Sequence, residues 1–308
     1  MVNAIRQLHE WQRPLPDTLN PLEKGIVHAV AYGDVFDYPL TTGQIYRYLE
    51  GVFTTQAMVA VTVTNGRLPP HFLQQTDGYI HLPGRAAIVR TRQRREQIAQ
   101  KLWPEAVRYG RLIACLPFVR MVALTGSLTM NNADDNADID YLIVTENGRL
   151  WLSRAFIIAV VRLAARRGIT ICPNYILTER ALEFPDKNLY TAHEVAQMVP
   201  LSGIDTYEQM RHQNKWVNHF LPNAATSPQP ELMTGNGRSR IQAVLELPFR
   251  TSLGNRLESW EMTRKINKFQ QQQQDNTGET DFCADWCKGH FDGHQYHTLT
   301  AFQARVNQ

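Results

Sequence analysis

The first quarter of the chain has apolar residues at the spacing of short helices, each preceded by a polar residue. Each of these three polar residues has a side chain that can cap a helix N-terminus. They are Asn20, Thr41 and Thr55. Asp77-Gly78 then separates two short apolar-rich runs, which is the signal of a β-hairpin. Three helices followed by a hairpin predict a winged-helix-like domain over residues 1–84.

The middle of the chain changes from a helical to a strand-like pattern. Residues 85–116 predict one long amphipathic helix. Val119 to Thr125 and Asp138 to Val144 predict two β-strands, and after a second helix Thr170 to Thr178 predicts a third. Pro173 has no N–H to donate, so the third strand is expected either to be an edge strand or to be bulged.

The last third of the chain predicts a helical C-terminal region over residues 201–308. Residues 191–221 and 241–269 have the composition of helices. Linker-like stretches lie near 222–240 and near 270–280, where five glutamines predict a solvated tether. The fold class expected is therefore α+β or α/β, with a small mixed-sheet core over residues 85–200 flanked by helices.

Composition and local hydropathy predict a cytoplasmic protein without a membrane span. The most apolar stretch, residues 155–161, has seven residues, whereas a membrane helix needs about 20. The N-terminal residues have no apolar signal-peptide core. Four cysteines in 308 residues do not make a disulfide framework.

The charge of the chain is nearly balanced but unevenly distributed. The formal net charge is +3, whereas residues 85–119 hold eight basic and two acidic residues. The basic half of this helix can approach a triphosphate or an RNA backbone, or can be a solvated face. Residues 1–84 hold five basic and seven acidic residues, which makes DNA binding by that domain unfavourable. A winged-helix regulator is therefore the weaker of the functional alternatives.

The residues that point to chemistry are Gly126-Ser127 and, after ten intervening residues, Asp138-Ile139-Asp140. Strand alternation places Asp138 and Asp140 on the same face of a strand. Two neighbouring carboxylates repel one another unless a cation lies between them, and their hard oxygen atoms suit Mg²⁺. A Gly-Ser turn at the end of the preceding strand offers backbone N–H groups and a hydroxyl to phosphate groups.

The stretch VALTGSLTMNNADDNADIDYLIV resembles the signature of the DNA polymerase beta-type nucleotidyltransferases. The strand, loop and helix context extends the resemblance to residues 119–178. It implies that Asp138 and Asp140 hold two Mg²⁺ ions on a nucleoside triphosphate and that Ser127, beside Gly126, holds its phosphates. The implied reaction transfers a nucleoside monophosphate to a hydroxyl acceptor, which can be RNA, protein or a small molecule.

The chain departs from this signature at the third carboxylate that small members of the family carry on the next strand. The best candidate there is Asn174, whose amide oxygen brings no negative charge. Alternatives are Asp134, Asp135 and Glu179. The loop after Ser127 also has no basic residue. These departures keep open a catalytically silent nucleotide-binding or scaffold protein of the same fold.

Further residues give weaker signals. Glu194, in a helix after the third strand, is a candidate general base by analogy with some members of the family, or a solvated helix residue. Trp216 can stack on a base, but core packing is favoured. A cluster of zinc-type ligands near the C-terminus does not have the spacing of a standard finger, although its first four members would share a helix face. The cluster consists of Cys283, Cys287, His290, His294 and His297.

Overall fold

The computed structural model describes residues 19–65, 68–232, 239–273, 281–288 and 294–307. Its first helix, α1, spans Pro21–Asp34. The capping box that the sequence predicts is present: Asn20 Oδ1 accepts from the Glu23 N–H at 3.0 Å, and the Glu23 carboxylate accepts from the Asn20 N–H at 2.8 Å. The start of this helix is thus determined by local contacts.

Two further capped helices and a hairpin complete the N-terminal unit, which we define as residues 19–84. Helix α2 spans Thr42–Arg47 and helix α3 spans Gln56–Thr64, with Thr41 and Thr55 as their capping residues. Strands β1 (Gln74–Thr76) and β2 (Tyr79–His81) pair antiparallel across Asp77-Gly78. Both turn residues have positive φ, as a two-residue hairpin turn requires. Leu40 forms a bridge with Ile80 beside the hairpin.

The long helix α4 spans Ala87–Ala114 and joins the N-terminal unit to the rest of the molecule. Its basic residues do not form one solvated face. Arg92 is buried, donates to the Pro39 carbonyl and pairs with Glu96 at 2.7 Å. Arg85, just before the helix, pairs with Asp34 at 2.8 Å. Several cations of this segment therefore hold the N-terminal unit in place.

A mixed sheet of six strands forms the centre of the described part of the chain. The strands are β3 (Val119–Thr125), β4 (Ile139–Thr145), β5 (Ile171–Thr178), β6 (Val199–Ser202), β7 (Asp281–Phe282) and β8 (Trp286–Lys288). Their order is β6-β3-β4-β5-β8-β7. Strands β4 and β5 are parallel, joined by helix α5 (Leu150–Ala165), and the other neighbours are antiparallel. The prediction of a mixed α/β protein is confirmed at this level.

Three of the six strands differ from the sequence prediction. Val199–Ser202 was expected within a helical segment but is an edge strand beside β3, so the boundary placed at residue 200 falls inside a strand. The C-terminal region expected to be helical also contributes the β7–β8 hairpin, which pairs with β5.

Because β5 has neighbours on both sides, it is not an edge strand. The register slips by one residue around Pro173, so the bulge is the correct alternative.

Each face of the sheet is covered by helices. One face packs against α4 and α5 through residues such as Tyr141 and Ile143. The other face, which carries Leu142 and Val144, packs against helix α6 (Leu189–Gln197) and the C-terminal helix. Alternation along β4 places Asp140 on this second face, together with Leu142. We call it the α6 face.

The remaining helices surround the sheet. They are α7 (Ile204–Gln213), α8 (Val217–Phe220), α9 (Arg240–Glu246), α10 (Ser252–Gln273) and α11 (His294–Val306). Helix α10 continues through the first glutamines, so the expected tether does not begin at residue 270; residues 274–280 lie outside the described part, as do 233–238 of the other linker. No helix in the described ranges is long and apolar enough to cross a membrane.

Candidate functional site

A pocket of about 610 Å³ opens on the α6 face of the sheet. Its walls come from α1 of the N-terminal unit, the loop after β3, the first residues of β4 and β5, and α6. The site residues that the sequence predicted all line it: Gly126, Ser127, Asp138, Asp140, Asn174 and Glu194. Residues that are distant in sequence therefore converge on one cavity, whose volume lies in the range of small-molecule sites.

Gly126 has a conformation that only glycine adopts without strain. Its φ is 70° and its ψ is −161°, a region that a β-carbon makes unfavourable. A β-carbon at this position would overlap the Asp140 carboxylate, lying 3.0 Å from its Cγ. The missing side chain thus lets the Gly-Ser turn approach Asp140 directly.

The turn after Gly126 is held by its own backbone. Ser127–Met130 forms one turn of 3-10 helix, and the Asn132 N–H donates to the Ser127 carbonyl at 2.9 Å. Ser127 itself is exposed in the pocket wall. The N-terminal unit braces the end of this turn, since the Tyr38 hydroxyl donates to the Met130 carbonyl at 2.5 Å. The hydroxyl of Ser127 is therefore presented to the cavity on a fixed turn.

Asp138 and Asp140 lie at the head of β4 on the α6 face. Burial, together with the negative charges of Asp138 and Glu194, raises the pKa of Asp140 well above its ordinary value. A largely buried carboxylate near two others is unfavourable unless a cation neutralises it. The electrostatics of this corner of the pocket, around Asp138 and Asp140, therefore favour binding of a positive charge.

Cys172 is the residue of this corner that the sequence interpretation missed. It pairs in register with Asp140 across the parallel β4–β5 ladder. Its Sγ, an oxygen of Asp138 and an oxygen of Asp140 all lie within 4.8 Å of one another. Among the described residues, this group is the one whose ligand atoms could hold a metal ion. A cysteine does not match the third carboxylate expected on this strand, and only the strand register shows that Cys172 lies beside Asp140.

Asn174, which the sequence suggested as the third ligand, lies next to this group. Its side chain is buried, and its Oδ1 accepts a hydrogen bond from Cys172 Sγ at 3.3 Å. The donor set of two carboxylates, a thiol and an amide suits a divalent cation. An orphaned polar atom lies beside it, because the buried Thr125 hydroxyl has no hydrogen-bond partner among the described residues. Thr125 is opposite Asp140 in the register and so lies on the same face.

Glu194 enters the pocket from α6. Burial raises its pKa to about 7, and Lys288 partly offsets this effect. The preceding His193 is buried and stacks on Tyr32 with ring centroids 3.8 Å apart, and burial lowers its pKa to about 3. With a pKa of about 7, Glu194 can exchange a proton near neutral pH.

The alternatives for a third carboxylate do not reach this corner. Asp134 and Asp135 are exposed in the loop before β4. Glu179 follows the last residue of β5, at the opposite end of the strand from Cys172, and its N–H donates to the Thr145 carbonyl. None of the three lines the pocket. The expectation that one of them completes the ligand set is not supported by their positions.

Arg95 of α4 comes close to the loop after Ser127, where the sequence has no basic residue of its own. Its guanidinium donates to Asn132 Oδ1 at 3.2 Å and to the Phe36 carbonyl at 2.9 Å. Both acceptor residues line the pocket. A cation from a distant helix thus lies behind the loop that is expected to meet phosphate.

The other weaker candidates lie elsewhere. Trp216 is packed in the core, with its indole N–H donating to Asn214 at 3.1 Å, so the core-packing interpretation is confirmed. Cys283 and Cys287 lie on the β7–β8 hairpin, which contradicts the idea that they share a helix face with the histidines. His290 lies outside the described residues. His294 begins α11 and lines the pocket described above.

Comparison with known proteins identifies no relative of this chain. No protein-family model matches it, and neither a curated protein nor a solved structure matches it. Assignment of a function therefore depends on the geometry and the chemistry of the pocket.

Proposed function

We propose that this chain is a metal-dependent nucleotidyltransferase that moves a nucleoside monophosphate from a nucleoside triphosphate to a hydroxyl acceptor. The observation that carries the proposal is the convergence of the Gly126-Ser127 turn, the two aspartates and Glu194 on one pocket. The spacing of these residues resembles the DNA polymerase beta-type signature. The mixed sheet with its parallel β4–α5–β5 unit is compatible with a core of that type.

Each residue has a role that follows from its position. Gly126 lets the turn lie directly against Asp140, and Ser127 offers its hydroxyl to the terminal phosphates. Asp138 and Asp140 would hold the Mg²⁺ ions, which supply stabilisation of the pyrophosphate and a lowered pKa of the acceptor hydroxyl. Arg95 adds positive charge behind the phosphate loop.

In the proposed transfer step, Glu194 acts as the general base. The acceptor oxygen forms a bond to the α-phosphorus, and the bond from that phosphorus to the bridging oxygen of pyrophosphate breaks. The proton of the acceptor hydroxyl passes to the Glu194 carboxylate, whose pKa of about 7 suits a base at neutral pH. Pyrophosphate leaves with the electron pair of the broken bond.

The N-terminal unit supplies the aromatic side of the pocket. Its contributions to the wall are Ala29, Tyr32, Gly33, Phe36, Tyr38, Leu40 and Tyr48. Helix α3 occupies the position that a winged-helix protein uses to read DNA, but its sequence QAMVAVTVT has no basic residue. We therefore propose that this winged-helix-like unit serves the pocket, and a DNA-binding regulator is disfavoured.

A catalytically silent nucleotide-binding protein is the second candidate. The observation that favours it is that β5 brings Cys172 and Asn174, and no carboxylate, to the pocket beside Asp138 and Asp140. Such a protein would use the same pocket and the same cation, and would lack the transfer step. The two candidates therefore differ only in turnover.

A label-transfer assay separates them. The full chain is incubated with each nucleoside triphosphate labelled at the α-phosphate, with Mg²⁺, Mn²⁺ or Zn²⁺, and with RNA, protein and metabolite fractions. We expect label to move to one acceptor class and to disappear with Asp140→Asn, while Asp205→Asn, an exposed control, keeps it. Nucleotide binding without transfer under all these conditions would favour the silent protein.

A further inference from the structure

The metal corner of the pocket contains a sulfur atom where an all-oxygen magnesium site would have another oxygen. Cys172 Sγ, Asp138 and Asp140 place three ligand atoms within 4.8 Å of one another. The thiol is partly accessible and lines the pocket, so a cation can reach it. This arrangement is a property of the folded chain, because Cys172 meets Asp140 only through the β4–β5 register.

The surroundings of Cys172 are polar on the side of the aspartates. Its Sγ donates to Asn174 Oδ1 at 3.3 Å, and Cys172 and Asn174, two residues apart on β5, line the same cavity. Thr125, opposite Asp140, has a buried hydroxyl without a hydrogen-bond partner among the described residues. Buried hydroxyls are usually hydrogen-bonded, so the unpaired hydroxyl on the residue opposite Asp140 indicates that a polar partner is missing there.

We propose that Cys172 is a metal ligand and that one cation position of this pocket takes a zinc-like divalent cation, held by Asp138, Asp140 and Cys172. This inference rests on the proposed function, since it concerns the same pocket. Three protein ligands and one open position are the usual composition of a catalytic zinc site. Thiolate ligands select zinc and similar soft cations over magnesium, which prefers oxygen.

Binding of the cation through the Cys172 sulfur releases one proton. The Cys172 thiol releases its proton to solvent as the sulfur–metal bond forms. Asn174 can then turn its amide so that the NH₂ group donates to the sulfur, which makes it a positioning residue behind the ligand. Because the three ligand residues line the cavity, a phosphate oxygen or a water molecule from the cavity would complete the coordination of the cation.

Cobalt substitution tests the proposal, because a thiolate bound to Co²⁺ gives a charge-transfer band in the near ultraviolet. The full chain is stripped of metal with a chelator and titrated with Co²⁺, alongside Cys172→Ser and Cys115→Ser. Cys115 is an exposed free thiol at the C-terminal end of α4 and serves as the matched control. We expect the band in the unmodified protein and in Cys115→Ser, and its loss in Cys172→Ser.

Affinities measured by competition with a chromophoric chelator give an independent readout. Cys172→Ser is expected to weaken Zn²⁺ binding by at least about tenfold while Mg²⁺ binding changes by less than about threefold. Cys172→Asp, which places a carboxylate on β5 beside the two aspartates, is expected to reverse this preference. Because the two variants change the same site in opposite directions, loss of folding in one leaves the other informative.

The results that overturn this inference differ from those that overturn the proposed function. A charge-transfer band that survives Cys172→Ser, or Co²⁺ binding without such a band, would remove Cys172 from the ligand set and leave the nucleotidyltransferase proposal intact. Divalent cation binding that is insensitive to Asp140→Asn would instead remove the metal corner itself, and with it both proposals.

Discussion

Gly126 and Asp140 lie so close together that a methyl group on Gly126 would overlap the Asp140 carboxylate. The glycine therefore has two functions in the site: it adopts a backbone conformation closed to other residues, and its missing side chain leaves the space that the Asp140 carboxylate occupies. This contact joins the Gly126-Ser127 turn to the head of β4, where the two aspartates lie.

Replacing Gly126 with alanine is expected to abolish nucleotide binding. The added methyl group displaces the Asp140 side chain, and the backbone conformation strains the turn by about 1–3 kcal/mol. Gly148→Ala is the matched control, because Gly148 also has a φ of 70° but a methyl group there would meet no atom within 4 Å. Equal loss of affinity in both variants, measured by calorimetry with a nucleoside triphosphate, would contradict the role of the Gly126–Asp140 contact.

Replacing Glu194 with glutamine is expected to lower the transfer rate by about a hundredfold or more, because the acceptor proton loses its base. The unmodified protein should gain rate as the pH rises through about 7, where Glu194 ionises, and the variant should lose that dependence. Steady-state rates from about pH 5.5 to about pH 8.5, on either side of that pKa, provide the measurement. An unchanged pH profile in Glu194→Gln would assign the base elsewhere.

The same substitution is expected to stabilise the protein at alkaline pH. Burial raises the folded-state pKa of Glu194, so between pH 4.5 and about 7 the folded chain keeps a proton that the unfolded chain releases. Stability contributed by this group therefore falls as the pH rises through that window. Glu194→Gln should melt at a higher temperature than the unmodified chain at about pH 8 and at a similar one at about pH 4, without added cation. A lower melting temperature at the alkaline pH would indicate a structural role.

Glu246 provides an acid-sensitive contact far from the pocket. It is fully buried and accepts hydrogen bonds from the Phe118 N–H at 2.9 Å and from Arg120 at 3.0 Å, and it pairs with Arg250 at 2.7 Å. Burial alone would raise its pKa, but these hydrogen bonds outweigh burial and lower it. The stability it contributes is thus present above pH 4.5 and is lost as the pH falls through the lowered folded-state pKa.

Glu246→Gln is expected to reduce the free energy of unfolding by about 1–3 kcal/mol at about pH 7 and by less at about pH 3. Denaturant unfolding at the two pH values measures the difference, with the exposed Glu208→Gln as a control that should have little effect. A cost for Glu246→Gln that is equal at both pH values would contradict the ionised hydrogen-bonded form.

The full chain is expected not to shift duplex DNA in a gel at low salt. Helix α3 has no basic residue, and Arg92 and Arg85 are engaged in contacts within the protein. Nonspecific DNA binding depends on free cations that replace counterions on the phosphates. A salt-dependent shift would instead favour a regulator that acts through its winged-helix-like unit.

Sequence reasoning succeeded where the determining contacts are local. The cap at Asn20, the hairpin turn at Asp77-Gly78 and the strand Val119–Thr125 depend on neighbouring residues, and the structure has all three. Alternation along β4 likewise sufficed to place Asp138 and Asp140 on one face.

The remaining features depend on contacts between distant segments. Val199–Ser202 is a strand because β3 offers it a free edge, and Trp286–Lys288 is a strand because β5 offers another. The position of Cys172 beside Asp140 depends on the register of a parallel pair, which a single sequence does not reveal. The N-terminal wall of the pocket depends similarly on packing between α1 and the sheet.

Calorimetric titration with MgATP, and with the other three nucleoside triphosphates, tests the central claim most directly. The unmodified chain should bind at least one of them, and the double variant Asp138→Asn and Asp140→Asn should lose that binding while keeping its fold by circular dichroism. Equal affinity in the double variant and the unmodified chain would contradict the assignment of this pocket as a nucleotide and metal site.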